Sequence, residues 1–160
     1  MSKVMPEQKP GKSIQNYGTP KVFVETIKKR FGKIVCDLAA EEGNAKCAKF
    51  ITKEEDSLSQ NWAELFPDGN LFLNPPFGSV GIWAEKCYHE SLKRQGAIIL
   101  LCPASVGTEY FSKFINKKAI VLALSSRLVF DGETNSFPKD LMLCIFSNGL
   151  SGFDCWRWKQ

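Results

Sequence analysis

Asn74-Pro75-Pro76-Phe77 is the stretch of this chain best equipped for chemistry. It follows the apolar run Leu71-Phe72-Leu73, which reads as the end of a buried parallel strand. Two prolines therefore stop a strand at the carboxyl edge of a sheet, where open α/β sheets bind their ligands. The turn presents an amide side chain, a backbone carbonyl with no helix to satisfy it, and an aromatic ring. These groups suit methyl transfer to an amino nitrogen conjugated with a planar base. The lone pair of such a nitrogen is delocalised into the ring, and it turns nucleophilic when acceptors hold its N–H groups. The Asn74 side-chain oxygen and the Pro75 carbonyl are the candidate acceptors, and the Phe77 ring is the candidate stacking surface. The competing reading is an Asn-Pro loop with a buried phenylalanine. The strand before the turn, and Gly78 and Gly81 after it, favour the chemical one.

The elements that must position this turn alternate between strand and helix patterns, which predicts a parallel sheet with helices on its faces. Residues 1–15 read as a flexible tail. Thr19-Pro20 opens a helix whose apolar face carries Val22, Phe23, Ile27 and Phe31. Ile34-Val35-Cys36 is a short strand ending in Asp37, and residues 45–50 are expected to be helical. After the strand at 71–73 come a helix over 82–93, a wholly apolar strand over 97–102, a helix over 109–116 and a strand over 119–124. Residues 127–130 and 141–146 read as a closing strand pair around a turn-rich segment, giving about six or seven strands in one sheet.

Composition limits the partners. At 160 residues, with 44% apolar and 24% charged residues, the chain is of a size to bury one core. No apolar stretch approaches the length of a membrane span, and the polar start lacks an apolar signal core, so a cytoplasmic location is expected. The six cysteines form no C-x-x-C pair and mostly sit in apolar runs, which favours core thiols over disulfides, and no metal site is expected. A formal charge of +4 permits a nucleic-acid partner. The basic clusters at 28–30, 46 and 49, 93–94 and 117–118 read mostly as solvated surfaces. His89, the single histidine, reads as a surface residue; direct methyl transfer requires no matched general base.

The text around the turn, LFLNPPFGSVGIWAEKCYHE, resembles the phage-type DNA N-6-adenine methyltransferase (Dam-like) family. YGTPKVFVETI, CDLAAEEGNAKCAKFITKEEDSLSQNW and SFPKDLMLCIF agree with it in the expected order, and together the four cover most of residues 16–146. The resemblance implies a Rossmann-like S-adenosylmethionine-dependent methyltransferase fold over residues 16–160, with a mostly parallel sheet and an antiparallel closing strand. It implies methyl transfer from S-adenosyl-L-methionine to the N6 amino group of an adenine flipped out of double-stranded DNA. Asn74, Pro75, Pro76 and Phe77 then form the catalytic motif. Tyr17, Thr19, Pro20, Asp37, Ala39, Asp56 and Asn74 belong to the cofactor site, and Arg127 and Lys139 to the DNA contact. The loops over 105–108 and 131–139 are left to read the target.

The chain departs from the generic cofactor fingerprint, because Leu38-Ala39-Ala40-Glu41-Glu42-Gly43 stands where a glycine-rich loop is usual. Each site residue also has a plainer role open to it. Asp37 would serve as a helix cap or turn residue, Asp56 as a solvated cap, Tyr17, Thr19 and Pro20 as helix initiators, and Arg127 as an ion-pair partner of Asp131 or Glu133. RNA adenine, a protein glutamine, or a silent module that binds DNA or cofactor are the rival assignments. Monomer and weak dimer both stay open.

Overall fold

The computed structural model describes residues 17–160, and the tail expected over residues 1–15 lies outside the described residues. Helix α1 (Lys21–Phe31) starts where the Pro20 carbonyl accepts the amides of Phe23 and Val24. It stops at Gly32, whose φ of 97° only glycine adopts readily. Phe23, Val24 and Ile27 are buried, but Val22 is 63% exposed. Val22 lies five residues before Ile27, about 140° away around the helix, so it belongs to the outer face.

The remaining elements are β1 (Ile34–Asp37), α2 (Trp62–Leu65), β2 (Asn70–Leu73), α3 (Val80–Ser91), β3 (Ile98–Pro103), β4 (Ile120–Ser125), β5 (Leu141–Phe146) and β6 (Gly152–Arg157). They form a six-stranded sheet in the order β1-β2-β3-β5-β4-β6. Strands β1, β2 and β3 are mutually parallel, β5 runs antiparallel to both β3 and β4, and β6 is parallel to β4. The chain is thus mixed α/β with a mostly parallel sheet.

Four expectations need correction. Residues 45–50 are not helical, because their backbone bonds go to β1: Asp37 donates to the Lys49 carbonyl and accepts from Ile51, and Phe50 bridges Asp37. Residues 127–130 form no strand. The chain turns at Ser126, with φ 79°, and buries Leu128 and Phe130 against the sheet instead. The antiparallel strand is therefore not a closing edge: β5 is inserted between β3 and β4, and β6, unforeseen in the sequence, forms the edge. An edge strand with mostly exposed side chains carries little of the apolar patterning that marks an interior one. The helix over 109–116 is reduced to a short helical stretch ending in the π-helical turn Phe111–Ile115.

Successive strand residues feed opposite faces of the sheet. Leu71, Leu73, Leu100 and Cys102 pack with Trp62, Trp83 and Ala84 on the α3 side. Phe72, Ile99 and Leu101 pack with Phe23 and Ile27 on the α1 side. Cys36, Cys87, Cys102 and Cys144 are buried free thiols, whereas Cys155 is exposed.

Arg94 is not the solvated cation its neighbour Lys93 suggests. Only 6% exposed, it donates to the carbonyls of Phe66, Asp68, Gly69, Gly96 and Ala97. The guanidinium fork thereby ties together the turns that lead into β2 and β3, and so fixes the strand that delivers residue 74.

Candidate active site

Because β1 and β2 are parallel neighbours, their last residues put Asp37 and Asn74 at one edge of the sheet. Asp37 is 3% exposed. Its Oδ1 accepts from the Ala39 amide at 3.4 Å and its Oδ2 from the Lys46 amide at 3.1 Å. Burial pushes its pKa from 3.8 up to about 6, against the opposing pull of those two amides. The carboxylate holds the loop after β1 in shape and also lines a cavity.

That cavity, of about 670 Å³, is lined by Tyr17, Thr19, Asp37, Ala39, Asp56 and Asn74, with Leu38, Ile51, Leu58, Phe72 and Trp83 supplying apolar wall. Of the residues expected around a cofactor, Pro20 alone is absent from its lining; its carbonyl caps α1. Asp56 sits on the rim, exposed, in the left-handed conformation that leads into the 3₁₀ turn Ser57–Ser59.

The Asn74 amide is held at its nitrogen. Nδ2 donates to the Tyr17 carbonyl at 2.8 Å and to Thr19 Oγ1 at 2.9 Å, which uses both of its N–H groups. Asn74 Oδ1 accepts nothing from the described residues and remains available. In the following turn the Pro76 carbonyl accepts from Ser79, through its amide at 3.2 Å and its hydroxyl at 3.4 Å. The Pro75 carbonyl accepts no hydrogen bond from the described residues. Two acceptors of the motif are thus left without a partner among the described residues.

A second cavity, of about 420 Å³, lies beyond Phe77. Tyr17, Phe77, Tyr110, Phe130 and Phe137 wall it, and Ser105, Glu133, Asn135, Ser136 and Lys139 supply polar groups. The Phe77 centroid is 5.4 Å from that of Phe137 at 69° and 6.2 Å from that of Phe130 at 64°. Both contacts are edge-to-face, so Phe130 and Phe137 brace the Phe77 ring. Tyr17 lines both cavities, Asn74 lines the larger and Phe77 the smaller, so the tetrapeptide stands at the divide.

Arg127 is in neither cavity. Its guanidinium donates to the Pro138 carbonyl at 2.7 Å and to Asp140 Oδ1 at 3.3 Å, closing the base of the loop over 131–139. Neither Asp131 nor Glu133 is its partner: Asp131 pairs with Lys46 at 3.4 Å, and its amide donates to the Gly18 carbonyl. Lys139 does line the smaller cavity. His89 is exposed and lines neither cavity. No cluster of metal-ligating side chains occurs, and no helix is long and apolar enough to cross a membrane, among the described residues.

Sequence reasoning missed Tyr110, Phe130 and Phe137. The available signal was an aromatic residue on each side of a turn-rich segment, at 130 and 137, but only folding turns both rings onto Phe77.

The chain matches the family model described as DNA N-6-adenine-methyltransferase (Dam) over residues 8–145. It is 27% identical over 131 residues to a DNA N-6-adenine-methyltransferase of Escherichia phage T1, covering 82% of this chain and 53% of that protein. It is also 27% identical over 120 residues to a DNA N-6-adenine-methyltransferase of Haemophilus phage HP1, covering 71% of this chain and 67% of the relative. The chain therefore spans about half the length of the first relative and two thirds of the second. Among solved structures, a modification subunit described as part of a type I restriction enzyme of Vibrio vulnificus YJ016 shares the fold. Its TM-score is 0.52 at 12% identity, over 87% of this chain and 46% of the other.

Proposed function

Since the chain belongs to the DNA N-6-adenine-methyltransferase (Dam) family, we propose that it transfers a methyl group from S-adenosyl-L-methionine to the N6 amino group of adenine in double-stranded DNA. The observation that carries this reading is the pair of cavities meeting at Asn74-Pro75-Pro76-Phe77, the larger for the cofactor and the smaller for the base. A Rossmann-like methyltransferase fold and a cytoplasmic location belong to the same proposal. The parallel strands β1 to β3, which carry the site at their carboxyl ends, support the fold.

The larger cavity fits the cofactor in size and chemistry. Its volume of about 670 Å³ lies within the range of small-molecule sites. The buried Asp37 carboxylate offers an acceptor to an ammonium, and Leu38, Ile51, Leu58 and Trp83 offer apolar wall to a purine and a thioether. Once bound, the cofactor supplies an electrophilic methyl group.

The rest of the reaction falls to the chain. Asn74 Oδ1 and the Pro75 carbonyl accept the N–H groups of the base amine and turn its nitrogen toward the larger cavity. Phe77, with Phe130 and Phe137 behind it, stacks on the base and excludes water. Rate enhancement comes from alignment and from fixed dipoles rather than from a titrating base. A stacked base cannot reach a pocket at a sheet edge, so the target is flipped out. Lys139, which lines the smaller cavity, meets phosphate in this reading, whereas Arg127 acts on DNA through the loop it pins.

Incubation with tritiated cofactor and, separately, duplex DNA, RNA and protein tests the reading. Label should enter DNA and be recovered as N6-methyladenine. Label in RNA or in a protein glutamine, or none anywhere beside intact cofactor binding, would overturn the assignment and leave the fold standing.

A further inference from the structure

We infer that Thr19 is a positioning residue that holds the Asn74 amide in the orientation the acceptor-only Tyr17 carbonyl selects, with its oxygen left for the substrate. The inference rests on the methyl-transfer reading above and adds a role for Thr19 separate from cofactor contact. An asparagine amide has a donor end and an acceptor end of nearly the same shape, and only the acceptor end serves a substrate amine. The wrong orientation would aim two N–H groups at the N–H groups of the amine. The tetrapeptide contains nothing that decides between the two.

The decision comes from residues 17–19. The Tyr17 carbonyl and Thr19 Oγ1 take the two N–H groups of Asn74 Nδ2, at 2.8 and 2.9 Å. Thr19 is 2% exposed, so water has little access to replace its hydroxyl. The segment carrying both acceptors is fixed as well. Pro20 follows it, and the Gly18 carbonyl accepts the Asp131 amide at 2.9 Å. A Cβ added at Gly18 would come within 3.0 Å of the Asp131 side chain, so the two strips of chain are in direct contact there. The Tyr17 carbonyl is an acceptor only, and the flipped amide would set its oxygen against that carbonyl. Thr19 holds the second N–H and keeps the amide plane from rotating about the bond to Tyr17.

Thr19→Val keeps the shape and removes the acceptor; Thr19→Ser restores it. In Thr19→Val, kcat for methyl transfer should fall about tenfold or more, while the affinity for S-adenosylhomocysteine measured by calorimetry stays within about twofold. Thr19→Ser should recover most of the rate. In an Asn74→Ala background, Thr19→Val should have no further effect on kcat, because the group it positions is gone. A readout independent of activity is the Asn74 side-chain amide in a nitrogen–proton NMR spectrum, identified by its absence from Asn74→Ala. Its hydrogens should exchange slowly in the native chain and at least tenfold faster in Thr19→Val. An unchanged kcat or unchanged exchange in Thr19→Val refutes the inference, as does a rate loss of equal size in the Asn74→Ala background. A fall in cofactor affinity that accounts for the whole loss returns Thr19 to plain cofactor contact. If the native chain methylates no acceptor, the proposed function falls, and amide exchange still decides whether Thr19 holds the Asn74 amide in place.

Discussion

Asp37→Asn separates what a buried carboxylate costs the fold from what it gives the cofactor. In the free protein the group is 3% exposed, and burial raises its pKa from 3.8 to about 6. A carboxylic acid whose folded value exceeds its unfolded one contributes stability that is fully present below the unfolded value and is lost as pH rises through the folded one. A rise of about two units corresponds to roughly 3 kcal/mol across that window, at about 1.4 kcal/mol per unit. Asparagine does not titrate. It also turns a donor toward the Ala39 or the Lys46 amide, which adds a pH-independent penalty of about 1–2 kcal/mol. Urea unfolding of both proteins without cofactor, between pH 4 and 7.5, should show the native chain losing stability relative to the variant as pH rises. Cofactor binding should run the other way. A cation beside Asp37 favours the ionised form, so affinity should climb as pH rises toward 6, with protons released below it, and should lose this dependence in the variant. Parallel pH slopes for the two proteins, both in unfolding and in binding, would refute the reasoning.

Asn74→Ala should lower kcat by at least about a hundredfold with cofactor affinity nearly unchanged, as measured by label incorporation and calorimetry, because it deletes an acceptor aimed at the target amine. Phe77→Ala should abolish most transfer while Phe77→Tyr keeps most of it, and a 2-aminopurine target should report the loss of stacking as a smaller binding-dependent fluorescence change in the alanine variant. Arg94→Ala strips the donors from carbonyls of the turns before β2 and β3 and should cost about 3–5 kcal/mol, a fall in melting temperature on the order of 10 °C. Arg94→Lys should recover less than half of that, since one ammonium cannot span both turns, and full recovery in a thermal melt would show that charge alone suffices.

The sequence by itself determined the parts whose signals are local. A strand halted by two prolines fixes where Asn74 stands, and an unbroken apolar run marks β3 as interior, because each depends on residues adjacent in the chain. The family followed from motifs read in order. Tertiary structure decided everything that depends on partners distant in sequence. Residues 45–50 look helical alone, yet the open edge of β1 takes their hydrogen bonds. Residues 127–130 alternate like a strand, yet Leu128 and Phe130 gain more by packing under the sheet. β6 has no buried face to pattern, and Arg94 looks like its solvated neighbour until the turns before β2 and β3 close around it. The orientation of the Asn74 amide was the least legible feature, since it is set by the hydrogen bonds it donates to Tyr17 and Thr19, 57 and 55 residues away. No spacing encodes a bond between groups that only the closed sheet brings together.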